Sequence, residues 1–132
     1  MKDIIKIISG LKGLKFVGAA PEKEIYEAEK ALNLKFSNDY IDYVKRYGAI
    51  SACGIELTGI TCHKRLDVVY VTKRERLFNP NIPPNMYVIE NIAIDGFIIL
   101  QNEAGKIYAI TKNKEPRLIF NTLYECVENS VK

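Results

Sequence analysis

The sequence predicts an α+β fold, with helices first, an antiparallel sheet after them and a closing helix. Three observations predict it. Apolar residues recur at helical spacing in the segments before Gly48. From Met86 onward short apolar runs are separated by glycine turns, which is the pattern of hairpins. Helical spacing then returns at Leu123, Cys126, Val127 and Val131.

Taken in order, residues 3 to 11 put Ile4, Ile7, Ile8 and Leu11 at i, i+3, i+4 and i+7, one face of a helix that Gly10 and Gly13 weaken at its end. A second helix begins near Pro21, whose missing N–H suits the first helical position. Glu22 and Glu24 sit at the positive end of its dipole, Ile25, Ala28 and Leu32 form its buried stripe, and Asn33 is its stop. A third helix starts with Ser37 as cap and has Asp39 in its first turn. Its inward face is Tyr40, Ile41, Val44 and Tyr47; Lys45 and Arg46 close the last turn, and Gly48 ends it.

The character then changes. Gly54 to Ile60 reads as a short strand. Asp67 to Phe78 is open to two readings: Val68, Val69, Tyr70, Val71 and Thr72 favour a strand by propensity, whereas Asp67 is a good cap and Val68, Val71 and Leu77 fit a helix. Asn79 to Pro84 is a loop set by three prolines. Val88 to Ile94 runs into Asp95-Gly96, a strong hairpin signal, and Phe97 to Leu100, apolar on both faces, is expected to be a central strand. Gln101 to Lys106 makes a turn around Gly105, Ile107 to Ile110 a further strand, and Asn121 or Thr122 caps the last helix.

Composition bounds the function. At 132 residues, 48% hydrophobic and 27% charged, the chain is expected to form one domain, residues 1–132, with a real core and no linker. Purely apolar runs reach only four residues, as in Phe97-Ile-Ile-Leu100, against the ~20 that span a bilayer. Asp3 and Lys6 break any signal-peptide core, so a cytoplasmic protein with no membrane role is expected. Cys53, Cys62 and Cys126 contain no CxxC pair and are expected to be free, largely buried thiols. A net charge of +3 is small and dispersed; Lys73-Arg-Glu-Arg76 is the densest basic cluster and reads as a solvated helix face, so no nucleic-acid partner is expected.

No constellation carries catalysis. Cys62-His63 is the only Cys–His neighbour, but adjacent residues on extended chain point to opposite faces, a poor arrangement for a thiolate and its base. Cys53, Cys62, His63 and Cys126 lack the paired short spacings of structural zinc sites. The carboxylate pairs Glu22/Glu24, Glu27/Glu29 and Asp39/Asp42 fall where a helix wants a charged first turn or a solvated face. GxGxxG, GxxxxGK[ST], HExxH and GxSxG are absent, and no cofactor is implied. Tyr87, Phe97 and Tyr108 could stack bases from one sheet face, but packing beneath helices is their ordinary use.

The succession of Ile25, Glu29 and Leu32, then Phe36-Ser-Asn-Asp-Tyr40, Val44 to Tyr47-Gly48, Gly54-Ile-Glu-Leu-Thr-Gly-Ile60, a Val-rich segment ending at Arg76, Pro84-Asn-Met-Tyr-Val-Ile-Glu90, Asp95-Gly96 and Gly105-Lys-Ile-Tyr108 resembles the SUKH superfamily. That group includes a fungal cell-wall-synthesis regulator and many bacterial immunity proteins. The resemblance covers about residues 15 to 130 and departs from the usual pattern at Ser37, where a proline is common, and at Asn33, where a glycine is. It implies a central, mostly antiparallel sheet flanked by N-terminal helices and a C-terminal helix, with Asp67 to Phe78 helical.

The resemblance also implies binding rather than catalysis: an immunity protein that neutralises a cognate toxin, or, in the alternative, an intracellular scaffold or regulatory module for another protein partner. Nuclease inhibitors are commonly acidic, so a chain of +3 implies either a local acidic patch or a toxin that is not a basic nuclease. By expected exposure near the glycine-rich strand and the sheet's loops, the candidate partner-binding residues are Glu56, Asp67 and Glu90. Asp67 is also read as a helix cap and Glu56 as the outward residue of its strand.

Overall fold

The computed structural model describes residues 3–52, 54–91 and 97–130. Its elements are α1 (Ile4–Ser9), β1 (Lys15–Phe16), α2 (Glu22–Leu32), α3 (Asn38–Tyr47), β2 (Ile50–Ala52), β3 (Ile55–Leu57), a 3-10 turn (Lys64–Leu66), α4 (Val68–Phe78), β4 (Met86–Asn91), β5 (Ile98–Asn102), β6 (Ile107–Ile110), β7 (Arg117–Phe120) and α5 (Leu123–Ser130). The α+β class is as the sequence predicts. The Asp95-Gly96 turn, Cys53 and Val131 lie outside the described residues.

Most helices start where a side chain satisfies a backbone N–H that has no intrahelical partner. Asp3 Oδ1 accepts from Ile5 N at 2.9 Å, Ser37 Oγ from Tyr40 N at 3.4 Å, Asp67 Oδ2 from Tyr70 N at 3.1 Å, and Thr122 Oγ1 from Glu125 N at 3.1 Å. At α2, Pro21 is the cap itself, extended at φ −65° and ψ 148°, one position before the helical residue the sequence suggests. Asn33 ends that helix in the left-handed conformation, at φ 55° and ψ 47°. The Val-rich segment is the helix α4. Its β-branched residues yield to the cap at Asp67 and to an inward face of Val68, Val71 and Thr72.

Strands divide into two antiparallel sheets, β1-β2-β3 and β4-β5-β6-β7. β1, β2 and β7, two to four residues long, are strands the sequence does not suggest. The predicted strand at Gly54 to Ile60 is shorter, Ile55–Leu57, because Thr58 leaves the ladder to join the sheets: its N–H donates to Ile89 O at 2.9 Å and its hydroxyl to Val88 O at 2.7 Å.

The larger sheet buries both faces by alternation. Tyr87, Ile89, Ile99, Ile107 and Ala109 face a core shared with the inward residues of α1, α2, α3 and α5. Met86, Val88, Ile98, Leu100 and Ile110 face Val71 of α4 and Ile82. Ile98–Leu100, within the predicted central strand, is interior and apolar on both faces. A register shift between Val88 and Glu90 breaks the alternation, so Glu90, opposite Ile99, stands on the side of the larger core.

A glycine junction fixes the chain leading to α4. A Cβ on Gly59 would lie 1.6 Å from Gly48 O, and one on Gly48, at φ 74°, would lie 2.2 Å from Gly18 O. That contact lets Ile60 N donate to Gly48 O at 3.0 Å, while Gly59 bonds Leu66 O and Val68 N. The loop from Ile60 to Leu66 is thereby held against the end of α3. Among the described residues no helix is long and apolar enough to cross a membrane.

Candidate functional site

The polar groups of the interior are occupied in holding the fold. Tyr87 Oη donates to Gln101 Oε1 at 2.8 Å and accepts from Ser37 N at 3.0 Å. Gln101 Nε2 donates to Asp39 Oδ1 at 3.0 Å and to Gly105 O at 3.1 Å. Asp39 also accepts from the Ser37 hydroxyl, and its Oδ2 from Leu123 N at 2.9 Å, the first residue of α5. Tyr43 donates to Thr58 O at 2.8 Å, and Tyr40 pairs with the Thr58 hydroxyl at 3.0 Å. Burial raises the pKa of Tyr40, Tyr43 and Tyr87 well above the usual phenol value, so these hydroxyls stay neutral donors. Tyr87 is thus packed under helices, and not an exposed stacking platform.

The segment from Thr61 to Leu77 borders three of the surface grooves. The first, between the two sheets, the 3-10 turn and the middle of α4, has a volume of about 220 Å³ and includes Glu56, Arg65, Arg74 and Asn91 in its walls. Glu56 is the outward residue of β3, between buried Ile55 and Leu57, and is ion-paired with Arg65. Glu90 lies beside it and receives a backbone hydrogen bond from Glu56. Burial, reinforced by the Glu56 charge and opposed by that bond, pushes the Glu90 carboxyl up to about 7. Behind it, burial and the Glu90 charge push the Cys126 thiol up to about 12.

Asp67 stands apart from this pair, on the wall shared by the other two grooves. On one side is an open groove of about 530 Å³ with Lys64, Tyr70, Lys73, Arg74 and Leu77. On the other is a groove of about 340 Å³ with Glu24, Glu27, Cys62 and Val69. The structure therefore brings Glu56 and Glu90 together and leaves Asp67 on a separate surface, where its carboxylate caps α4. Tyr70 carries two cations near its ring, Lys64 Nζ at 5.5 Å and Arg74 Cζ at 5.8 Å from the centroid. Leu77 is 83% exposed and Tyr70 42%, an unusual exposure for large apolar side chains on one helix face.

Two sequence expectations need correction here. Cys62 is exposed, not buried, because the loop it occupies runs over the surface between Gly59 and α4. Lys73-Arg-Glu-Arg76 is not a uniformly solvated face: Arg74 pairs with Glu75 at 3.2 Å, and Arg76 Nη2 donates to Pro84 O at 3.0 Å with its Nε buried. Sequence reading passes over Lys64, takes Tyr70 as a strand former, and groups Leu77 with Val68 and Val71, whereas the buried face of α4 is Val68, Val71 and Thr72 and Leu77 is exposed. A signal existed in the spacing of Tyr70, Lys73, Arg74 and Leu77, which is i, i+3, i+4 and i+7, once the segment is read as a helix. Among the described residues no group of three or more His, Cys, Asp or Glu side chains is placed to hold a metal ion.

A family model, SUKH_5, described as SMI1-KNR4 cell-wall, matches residues 1–132. The chain belongs to the SUKH superfamily. No curated protein matches it. SUKH membership supports a non-enzymatic immunity or regulatory role, exerted on protein partners. In this SUKH chain the segment Phe36 to Gly48 supplies Ser37, Asp39, Tyr40 and Tyr43 to the interior network.

Proposed function

We propose that this SUKH protein is a cytoplasmic immunity protein, which binds a cognate bacterial toxin domain stoichiometrically and blocks it. The observation that carries the reading is the family match over residues 1–132, in a superfamily of immunity and regulatory proteins. It is supported by where the polar chemistry lies. Buried tyrosines, Gln101 and Asp39 are committed to internal hydrogen bonds, whereas the exposed charges and apolar side chains line shallow grooves suited to another protein's surface. Neutralisation would follow from covering the toxin's active site, or a site beside it, without any chemistry on the toxin.

The test is protection. Cells expressing the toxin encoded beside this chain should survive when the chain is co-expressed, and the two proteins should co-purify at one-to-one stoichiometry. Absence of both protection and co-purification overturns the reading. A regulatory or scaffold role is the second reading, favoured by the cell-wall description of the family model. It predicts a non-toxin partner in native lysate and no protection.

A further inference from the structure

We infer that the outward face of α4 is the docking surface, and that its occupant is an acidic segment of the partner protein carrying one large apolar side chain. This rests on the reading that the chain acts by binding a protein. The inward face of α4 is Val68, Val71 and Thr72, all buried. Directly opposite, Tyr70, Lys73, Arg74 and Leu77 form a stripe that makes one wall of the groove, with Thr61, Cys62 and Lys64 on the other wall and Lys64 over the Tyr70 ring. Its two ends are apolar and exposed, Tyr70 at 42% and Leu77 at 83%, and its middle is cationic.

Charge decides what fits. Lys64, Lys73 and Arg74 line the groove against a single carboxylate, Asp67, which is engaged at the α4 cap. Arg74 has Glu75 as partner, but among the described residues Lys64 and Lys73 pair with no carboxylate. Cation–π contacts hold Lys64 and Arg74 over the Tyr70 ring, so their heads are positioned before a ligand arrives. An acidic segment would answer both cations, and one apolar side chain seated between Tyr70 and Leu77 would cover the exposed hydrocarbon. A nucleic acid fits less well. The basic patch is short, and Asp67 with Glu24 and Glu27 in the adjoining groove would repel a phosphate backbone.

The experiment uses the full chain and a synthetic peptide of alternating glutamate and aspartate around one central leucine. Amide shifts on titration should concentrate at Tyr70, Lys73 and Leu77. Lys73→Glu/Arg74→Glu should weaken binding about tenfold; because Arg74 is half-buried and paired with Glu75, Leu77→Ser, at a side chain 83% exposed, is the second variant, which should weaken binding about fivefold with unchanged circular dichroism. Replacing the peptide's acids by glutamine and asparagine should abolish binding, and a single-stranded oligonucleotide should bind less tightly than the acidic peptide. No peptide binding, shifts centred elsewhere, equal binding by both variants, or tighter oligonucleotide binding would each overturn the assignment. Failure of the immunity reading looks different: the wild-type chain leaves cells unprotected while the peptide still binds α4. Conversely, full protection by Lys73→Glu/Arg74→Glu removes the docking surface and leaves immunity standing.

Discussion

Asp39 concentrates more of the fold than any other single carboxylate described above. It accepts from Gln101, from the Ser37 hydroxyl and from the first N–H of α5, so one side chain joins α3, β5 and α5. Asp39→Ala would leave those donors without their acceptor and should cost about 3 kcal/mol in urea unfolding, with Asp39→Asn costing less because one acceptor oxygen remains. Glu90 makes the opposite kind of prediction. Its carboxyl rises from 4.5 in the unfolded chain to about 7 in the fold. Between those values the folded chain holds a proton that the unfolded chain releases, so stability falls as pH rises through the window and levels off above about 7. Glu90→Gln keeps an acceptor for the Glu56 N–H and removes the charge. Thermal melts should show the variant more stable than wild type at pH 8, by on the order of 2 kcal/mol, and nearly equal at pH 4. None of this was visible at the level of residue type. The first-turn position of Asp39 was legible, but its bond to Leu123, far along the chain, was not.

At the scale of elements, the glycine junction is what sets α4 in place. Gly59→Ala puts a Cβ against the Gly48 carbonyl, and neither partner is a flexible side chain that can move aside. The loop from Ile60 to Leu66 would be forced off the end of α3, and the variant should lose several kcal/mol or fail to fold. Gly54→Ala is the control: its φ of 81° is costly for alanine, but nothing lies within 4 Å, so about 1 kcal/mol is expected in the same denaturation assay. The helices were legible because caps, stops and apolar stripes are local: Ser37, Asn33 and Gly48 mark ends whatever the rest of the chain does. β1, β2 and β7 were not, since each is defined by the strand it pairs with and by no local apolar pattern of its own. For the same reason Glu90 could not be assigned a face, because the register shift beside it belongs to a pair of strands. The α4 segment shows the boundary between the two cases. Its composition favours a strand, and only the cap at Asp67 together with the sheet beneath it makes it a helix.

For the molecule as a whole, stability and recognition are carried by different sides of the same elements. α4 turns Val71 and Thr72 to the sheet and Tyr70, Lys73 and Leu77 to the outside, with Arg74 half-buried at the edge. A net charge of +3 is no measure of that surface, because the cations of α4 stand across the Cys62–Asp67 segment from Glu24 and Glu27. Charges so exposed act mainly on encounter. They raise the association rate at low salt and are screened within roughly 8 Å at physiological ionic strength. If the acidic partner segment meets α4, association of the purified pair should slow steeply as salt is raised from about 50 mM to about 500 mM, while dissociation changes little. Lys73→Glu/Arg74→Glu should flatten or invert that slope, and Leu77→Ser should leave the slope intact and quicken dissociation instead. Stopped-flow or surface-capture kinetics separate the two effects. A salt slope unchanged by the charge reversal would place the electrostatic contact away from α4.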